Sequence, residues 1–383
     1  MDSISRWRKG ASTLVILLAV ATLAACSSPT TGSGSTAAPS GAGEVDLGAL
    51  ATGDYGTPPD SAPTPETGKS VWIVSCGQSA IGCSVGAAAA QEAAESLGWD
   101  AQVCDGKLND GGAFAACVRQ GIAAGVDGIV TEAIDCNAIK EPLQEAKTAG
   151  IATVNFWGFD CDEGATADGA ALFTASVQPS EEYPTNEAYQ TAIGKARADW
   201  IIARSGGEAE VIELDFKGTN IGAALSEGFA EGMSACPDCT VHTVDVTHQT
   251  FATTRQIIES ALLKYPEAEW ISIPLDSLVL SGSAQAVTSS PNRENLALIG
   301  GEGLAPNLDL VRDDQGQSAA IGQPIGWYGY GAIDTMNRVF AGEVPVAQGM
   351  SFQAVDSENN LPAEGGYVPP VDYVAAYQAA WGK

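Results

Sequence analysis

From residue 70 onward the apolar positions alternate between two spacings. Short β-branched runs at 70–75, 101–104, 128–131 and 151–155 read as strands. Between them Val85, Ala89, Ala93 and Leu97, then Phe114, Cys117, Val118 and Ile122, then Ile139, Leu143 and Ala146 recur at helical spacing. Gly98, Gly125 and Gly150 close the three helical runs, where a helix takes a C′ residue of positive φ. The order β-α-β-α-β-α-β predicts a parallel sheet with right-handed crossovers and helices on both faces. Such a sheet gathers a ligand site at the carboxyl ends of its strands.

An aromatic, acidic and glycine-broken stretch at 156–162 and a polar segment with two prolines at 176–185 interrupt the pattern, which then resumes. Helices are predicted over 186–204, 221–234, 251–264, 278–287 and 328–340, and strands over 209–214, 241–246, 270–273, 296–300 and 318–323. Extended pieces follow at 350–355 and 366–369. The chain therefore reads as α/β, with two consecutive doubly wound parallel-sheet units, and 383 residues suffice for two cores.

The N-terminus reads as a targeting segment. Arg6, Arg8 and Lys9 precede an apolar run at 14–23 that is too short for a comfortable membrane span. The run closes in Leu23-Ala24-Ala25-Cys26, which resembles the lipobox of bacterial lipoproteins. The resemblance implies removal of 1–25 and attachment of a diacylglycerol to the Cys26 thiol. The stretch 26–68, rich in Ser, Thr, Pro, Gly and Ala, predicts a disordered tether, with the folded part starting near Lys69. A balance of 18 Lys and Arg against 47 Asp and Glu, net −29, argues against nucleic acid or an anionic membrane surface as partner. It favours a neutral or cationic ligand.

Eight cysteines remain after Cys26, and an even number in an exported chain reads as disulfides. Cys76, Cys104, Cys136 and Cys161 fall at or just beyond strand ends, and Cys83 and Cys117 follow two of them. Pairing of neighbours is the preferred reading: Cys76 with Cys83, Cys104 with Cys117, Cys136 with Cys161, and Cys236 with Cys239. The motif Cys236-Pro237-Asp238-Cys239 also admits a redox CxxC or, with His242 and His248, a zinc site. Its position after a helix and before a strand favours a loop-closing disulfide.

Neither a Gly-x-Ser-x-Gly elbow nor a phosphate-binding Gly-x-x-x-x-Gly-Lys-Ser/Thr loop occurs, and there are only two histidines, so neither an enzyme nor a bound cofactor or metal is expected. Asp276 and Glu302 could form a glycosidase pair, although the two-unit pattern already accounts for both. Recognition of a small polar ligand calls for aromatic faces and planar polar groups at strand ends. Ser75, Gln78, Glu132, Asp135 and Trp157 meet that description in the first unit. Asp215, Asn220, Phe251, Asp276, Glu302 and Gln323 meet it in the second. Simpler roles exist for several: Trp157 and Trp327 as packing over a sheet edge, Asp276 as an N-cap or first-turn charge, Glu302 as a solvated loop carboxylate.

Six phrases in order carry a family resemblance: Val74-Ser75, Ala124-Gly125-Val126-Asp127-Gly128-Ile129, Ala149-Gly150-Ile151, Gly228-Phe229, Ile299-Gly300-Gly301-Glu302-Gly303 and Ala320-Ile321-Gly322-Gln323-Pro324. Residues 69–159 and 208–345 resemble type I periplasmic solute-binding proteins, in particular the ribose- and galactose-type sugar-binding branch attached to ABC importers. The resemblance implies lobes at 69–178 plus 324–352 and at 179–323 plus 353–383. It places three hinge crossings near 176–180, 323–325 and 351–355. It further implies a sugar clamped between the lobes and handed to an importer permease by a monomer lipid-anchored on the outer face of the membrane. Ser75, Phe251, Glu302 and Gln323 fall on its sugar-contacting positions. Trp157-Gly158 and Ala223 stand where ribose-type members carry an Asp-Arg pair and an arginine, so ribose itself is not the expected ligand. A ligand sensor docking on a membrane receptor, or a binder of an amino sugar, nucleoside or cationic metabolite, uses the same closure.

Overall fold

The computed structural model describes residues 45–383, so the apolar leader and Cys26 lie outside the described residues. Five parallel strands, β1 (Ser70–Ser75), β2 (Asp100–Asp105), β3 (Gly128–Glu132), β4 (Ala152–Phe156) and β5 (Ala175–Ser176), pair in the order β2-β1-β3-β4-β5. A second sheet holds β6 (Glu210–Phe216), β7 (Thr240–Val246), β8 (Trp270–Ser272), β9 (Ala297–Gly300), β10 (Ala319–Gly322) and β11 (Gln353–Asp356), in the order β11-β10-β9-β8-β6-β7. Only the edge strand β11 runs antiparallel. Each order reverses beside its first strand, and this switch point opens a crevice outside the strand ends.

The helices are α1 (Leu47–Thr52), α2 (Ile81–Ser96), α3 (Ala113–Ala124), α4 (Lys140–Ala149), α5 (Asn186–Ser205), α6 (Asn220–Met233), α7 (Thr254–Lys264), α8 (Asp276–Leu278), α9 (Ala284–Ser289), α10 (Ala305–Arg312), α11 (Ile325–Phe340) and α12 (Tyr373–Ala380). Gly98, Gly125 and Gly150 take φ of 79°, 69° and 74°, the left-handed geometry that their places at the helix ends require. The strand period of two sends Val71 and Ile73 to one face of the first sheet, against Ala87 and Ala90 of α2 and Trp327 of α11. It sends Val74 to the other, against Cys117 and Val118 of α3 and Leu143 of α4. In the second sheet Leu214, Ile271 and Leu298 bury against Ile258 of α7. Each such aliphatic side chain contributes about 1.5–3 kcal/mol.

The helix predicted over 278–287 is broken: α8 leads into a wider turn at Val279–Ser283, where Gly282 has φ 120°, before α9 begins. Residues 366–369 form no strand, although the Tyr367 N–H donates to the Gly303 carbonyl at 2.7 Å. Helices α10 and α12 were not foreseen.

Two expected boundaries change. Residues 45–68, the end of the expected tether, are a packed strap. Asp46 caps α1, accepting from Gly48 and Ala49, and Gln353, the first residue of β11, donates to the Thr52 carbonyl at 2.6 Å. Tyr55 then stacks on Trp327 at 5.9 Å, and Gly56 donates to Gly349 at 2.9 Å. Arg338, Asn337 and Trp99 donate to the carbonyls of Ser61, Pro63 and Glu66 at 2.6, 2.8 and 2.8 Å. The strap thus leads from the second sheet across to the first. At the other terminus, α12 lies on α11 and not in the second lobe: Trp327 donates to the Tyr377 hydroxyl at 3.1 Å, and Trp381 to Asp334 at 3.0 Å.

The chain passes between the lobes at 177–185, 323–324 and 341–352. The first and third crossings run side by side, Gln348 donating to the Gln178 carbonyl at 3.0 Å and Met350 to that of Pro179 at 2.8 Å. No helix among the described residues is long and apolar enough to cross a membrane.

Candidate functional site

A cavity of about 410 Å³ lies between the strand ends of the two sheets, within the size range of small-molecule sites. The loops after β1, β2, β3 and β4 wall it from the first lobe, and those after β6, β7, β8 and β9 from the second. Disulfides hold the first-lobe loops. Cys76–Cys83 closes the turn from β1 into α2 and itself lines the cavity. Cys104–Cys117 ties the end of β2 to α3, and Cys136–Cys161 joins the loops after β3 and β4. Cys236–Cys239 sits elsewhere, at the turn between α6 and β7. There the zinc alternative fails on geometry: His242 pairs with Glu210 at 2.9 Å and stacks on Tyr265, while His248 lines the cavity.

Seven non-glycine residues among those described have positive φ, and four of them line the cavity: Leu108, Asn109, Ala133 and Trp157. Each such residue costs on the order of 1–3 kcal/mol and persists only where its surroundings fix it. Here the fixing groups are visible. Asp105 Oδ1 accepts from the Gln78 and Lys107 N–H groups at 2.9 Å each, and Leu108 donates to the Cys76 carbonyl at 2.8 Å.

Of the eleven residues singled out from sequence, Asp135, Trp157, Phe251 and Glu302 line the cavity. Asp135, which follows β3, accepts from Phe159 N–H through Oδ1 at 3.2 Å and from Asn220 N–H through Oδ2 at 3.3 Å. Burial pushes its carboxyl up, and these two bonds oppose the shift. Trp157 packs on Tyr328 at 5.5 Å. Phe251 meets Phe216 edge to face at 6.4 Å. Glu302 Oε2 accepts the Asp276 N–H at 2.6 Å. Burial first, and the Asp276 charge second, hold its carboxyl well above the usual range.

The other seven are placed differently, each for a physical reason. Ser75 is buried beneath the disulfide turn and donates to the Cys83 carbonyl at 3.2 Å. Gln78 serves through its backbone, with its side chain exposed. Glu132 is fully buried facing Gly86, where a Cβ would collide with its carboxylate, and burial pushes its carboxyl well above the usual range. Asp215 pairs with Lys217. Asn220 spans the lobes, its Oδ1 accepting the Thr166 N–H at 2.9 Å. Asp276 is not an N-cap; it staples the loop after β9, accepting from Gly301 at 3.1 Å and Leu304 at 2.7 Å. Gln323 is buried at the second crossing and donates from its backbone to the Glu302 carbonyl at 2.9 Å. Trp327 packs beneath the strap.

The sequence reading missed Phe114, Phe216, Ile221, His248 and Gln249, which also line the cavity. Phe114 had read as one position of a helical stripe, and His248 as a possible metal ligand. His248 lies edge-on to Phe216 at 5.0 Å, and burial lowers its pKa, which favours the neutral ring. A cluster of Cys136, Asp160 and Cys161 has metal-ligand spacing, but both sulfurs are in one disulfide and Asp160 accepts from the Cys161 and Leu172 N–H groups.

A cavity whose walls come from two doubly wound lobes, and which exists only while those lobes meet, is the construction of a two-lobed solute-binding protein of type I. A family model described as periplasmic binding protein domain matches residues 75–343, and the chain belongs to that family. Among solved structures, a glucose-galactose binding protein from Geobacillus stearothermophilus is 16% identical, with TM-score 0.64, over 76% of this chain and 99% of that one. An ABC transporter solute-binding protein from Agrobacterium vitis with bound allitol is 21% identical, with TM-score 0.61, over 76% and 96%. One from Mycobacterium smegmatis with bound glycerol is 20% identical, with TM-score 0.62, over 79% and 100%. No curated protein matches the chain.

Proposed function

We propose that the protein captures a small neutral solute, a sugar or a sugar-containing molecule, in the interlobe cleft and delivers it to an ABC importer permease. The observation that carries this reading is the hydrogen bond between Asp135 and Asn220 across the mouth of a ligand-sized cavity. A ligand touching both walls binds only the closed form and shifts the equilibrium towards it, which gives a permease a closed surface to read. The polyol and sugar relatives named above support the ligand class. On this reading the protein acts as a monomer outside the cytoplasm, held to the membrane through Cys26, and performs no catalysis.

A thermal-shift screen of monosaccharides, polyols, amino sugars and nucleosides tests it. A ligand at 100 times its dissociation constant stabilises the folded state by about 2.7 kcal/mol. The reading predicts at least one such solute, and loss of its effect in Phe251→Ala. A screen in which no solute stabilises the protein contradicts it.

A further inference from the structure

The cleft distributes its free hydrogen-bonding groups unequally. On the first-lobe wall the polar side-chain groups are the Asn109 amide, the Asp135 carboxylate and the indole N–H of Trp157, which is buried within the wall. Asn109 Oδ1 accepts the Phe114 N–H at 3.4 Å, which leaves only its exposed amide NH2 at the rim, and both Asp135 oxygens accept from backbone N–H groups. The rest of that wall is Phe114, Leu108, Trp157, alanines and the Cys76–Cys83 disulfide. This apolar surface is built in. A Cβ on Gly106 would stand 2.8 Å from the Phe114 ring, and one on Gly77 would stand 3.0 Å from the Leu108 side chain. Gly77 thus leaves room for Leu108, and Gly106 for the Phe114 ring as well as for the Ser75 carbonyl, which an added Cβ would meet first.

The second lobe is different. Thr219 is engaged as the cap of α6, but the His248 ring, the Gln249 amide, the Ser277 hydroxyl and the second oxygen of Glu302 remain to face a ligand. Neither lysine nor arginine lines the cavity, so an anionic ligand would find no counter-charge. A bare hexose presents hydroxyls around its whole rim. Each hydroxyl buried against the first-lobe wall without a partner gives up its hydrogen bonds to water and gains none in return.

Resting on the reading of this cleft as the solute site, we propose that the ligand is a neutral, two-part molecule. An aromatic or fused ring lies on the Phe114, Leu108 and Cys76–Cys83 wall, and a hydroxylated ring faces His248, Gln249, Ser277 and Glu302. Aryl glycosides and nucleosides have this chemistry. Flat rings gain from aromatic contact and displace water that the first-lobe wall binds poorly.

Calorimetric titration of the full protein separates the possibilities, with phenyl β-glucoside, phenyl β-galactoside and adenosine set against glucose, galactose and ribose. The expected result is that at least one aromatic-bearing compound binds tenfold or more tighter than its parent sugar. Both Phe114→Ala and the more exposed Leu108→Ser should shrink that advantage severalfold. Parent sugars binding as tightly as the aryl compounds would overturn the inference and leave the solute-binding reading standing. Failure of all six compounds, together with failure of the wider solute screen, would overturn both.

Discussion

Asp135, in the loop after β3, accepts the backbone N–H of Asn220 at 3.3 Å, at the first turn of α6 in the opposite lobe. A carboxylate there also complements the positive end of the helix. The contact exists only when the lobes are together, so it is a latch on the closed state.

Asp135→Ala should therefore weaken affinity for any cleft ligand. A hydrogen bond to a charged group contributes about 1.5–3 kcal/mol, or roughly ten- to a hundredfold in the dissociation constant. Calorimetry would measure the loss, and small-angle scattering of the ligand-free variant should show a larger radius of gyration than wild type. Asp135→Asn, which keeps an acceptor without the charge, should fall between the two.

Glu213 makes stability depend on pH. It is buried in β6, which pushes its carboxyl from 4.5 to about 7 against the opposing charge of Arg197. The folded state then holds a proton that the unfolded chain has released. Stability from this group is complete below about pH 4.5 and is lost as pH rises through 7. The loss should reach about 3 kcal/mol, and Glu132, Asp276 and Glu302 act with the same sign. Urea unfolding at pH 5 and pH 7.5 should show the fall. Glu213→Gln should reduce it, and an unchanged slope in that variant would place the effect elsewhere.

The first-lobe lip depends on its disulfides. Cys136–Cys161 closes a loop of sequence separation 25. Replacing both residues with serine should cost about 3 kcal/mol through loop entropy in the unfolded chain. Cys76→Ser with Cys83→Ser, which opens a much shorter loop on the cavity wall, should cost less stability and proportionately more ligand affinity. Paired denaturation and titration measurements distinguish the two effects.

Tyr55 is the aromatic pin of the strap. Besides stacking on Trp327, its hydroxyl pairs with that of Tyr367 at 3.0 Å. Tyr55→Ala should lower unfolding stability by about 3 kcal/mol, the low end for aromatic truncations because the ring is only partly buried. If 45–68 were merely a tether, denaturant midpoints of wild type and variant would coincide.

The strands were legible because β-branched runs between glycine-ended helical stripes leave little choice of fold. The neighbouring cysteine pairs followed from the same rhythm, which sets the strand ends that they staple. Composition misled at 45–68, where few large side chains are present. That segment is held through the carbonyls of Ser61, Pro63 and Glu66, acceptors that any residue offers. Carboxylates misled at the site for a related reason. Asp276 and Glu132 stand at strand ends as a ligand-binding acid would, yet one staples a loop and the other is buried out of the cleft. Phe114 enters the cavity from the first turn of α3, and His248 and Gln249 from the loop after β7; no local pattern encodes their meeting across the lobes.

The strap also determines where a pull on the N-terminal chain would arrive. Tension drawn through residue 45 reaches α1 and the β11 edge first, then the Gly56–Gly349 contact at the third crossing. No residue of 45–68 lines the cavity. A load applied at this end enters through α1, β11 and the third crossing, on residues other than those of the latch between Asp135 and Asn220.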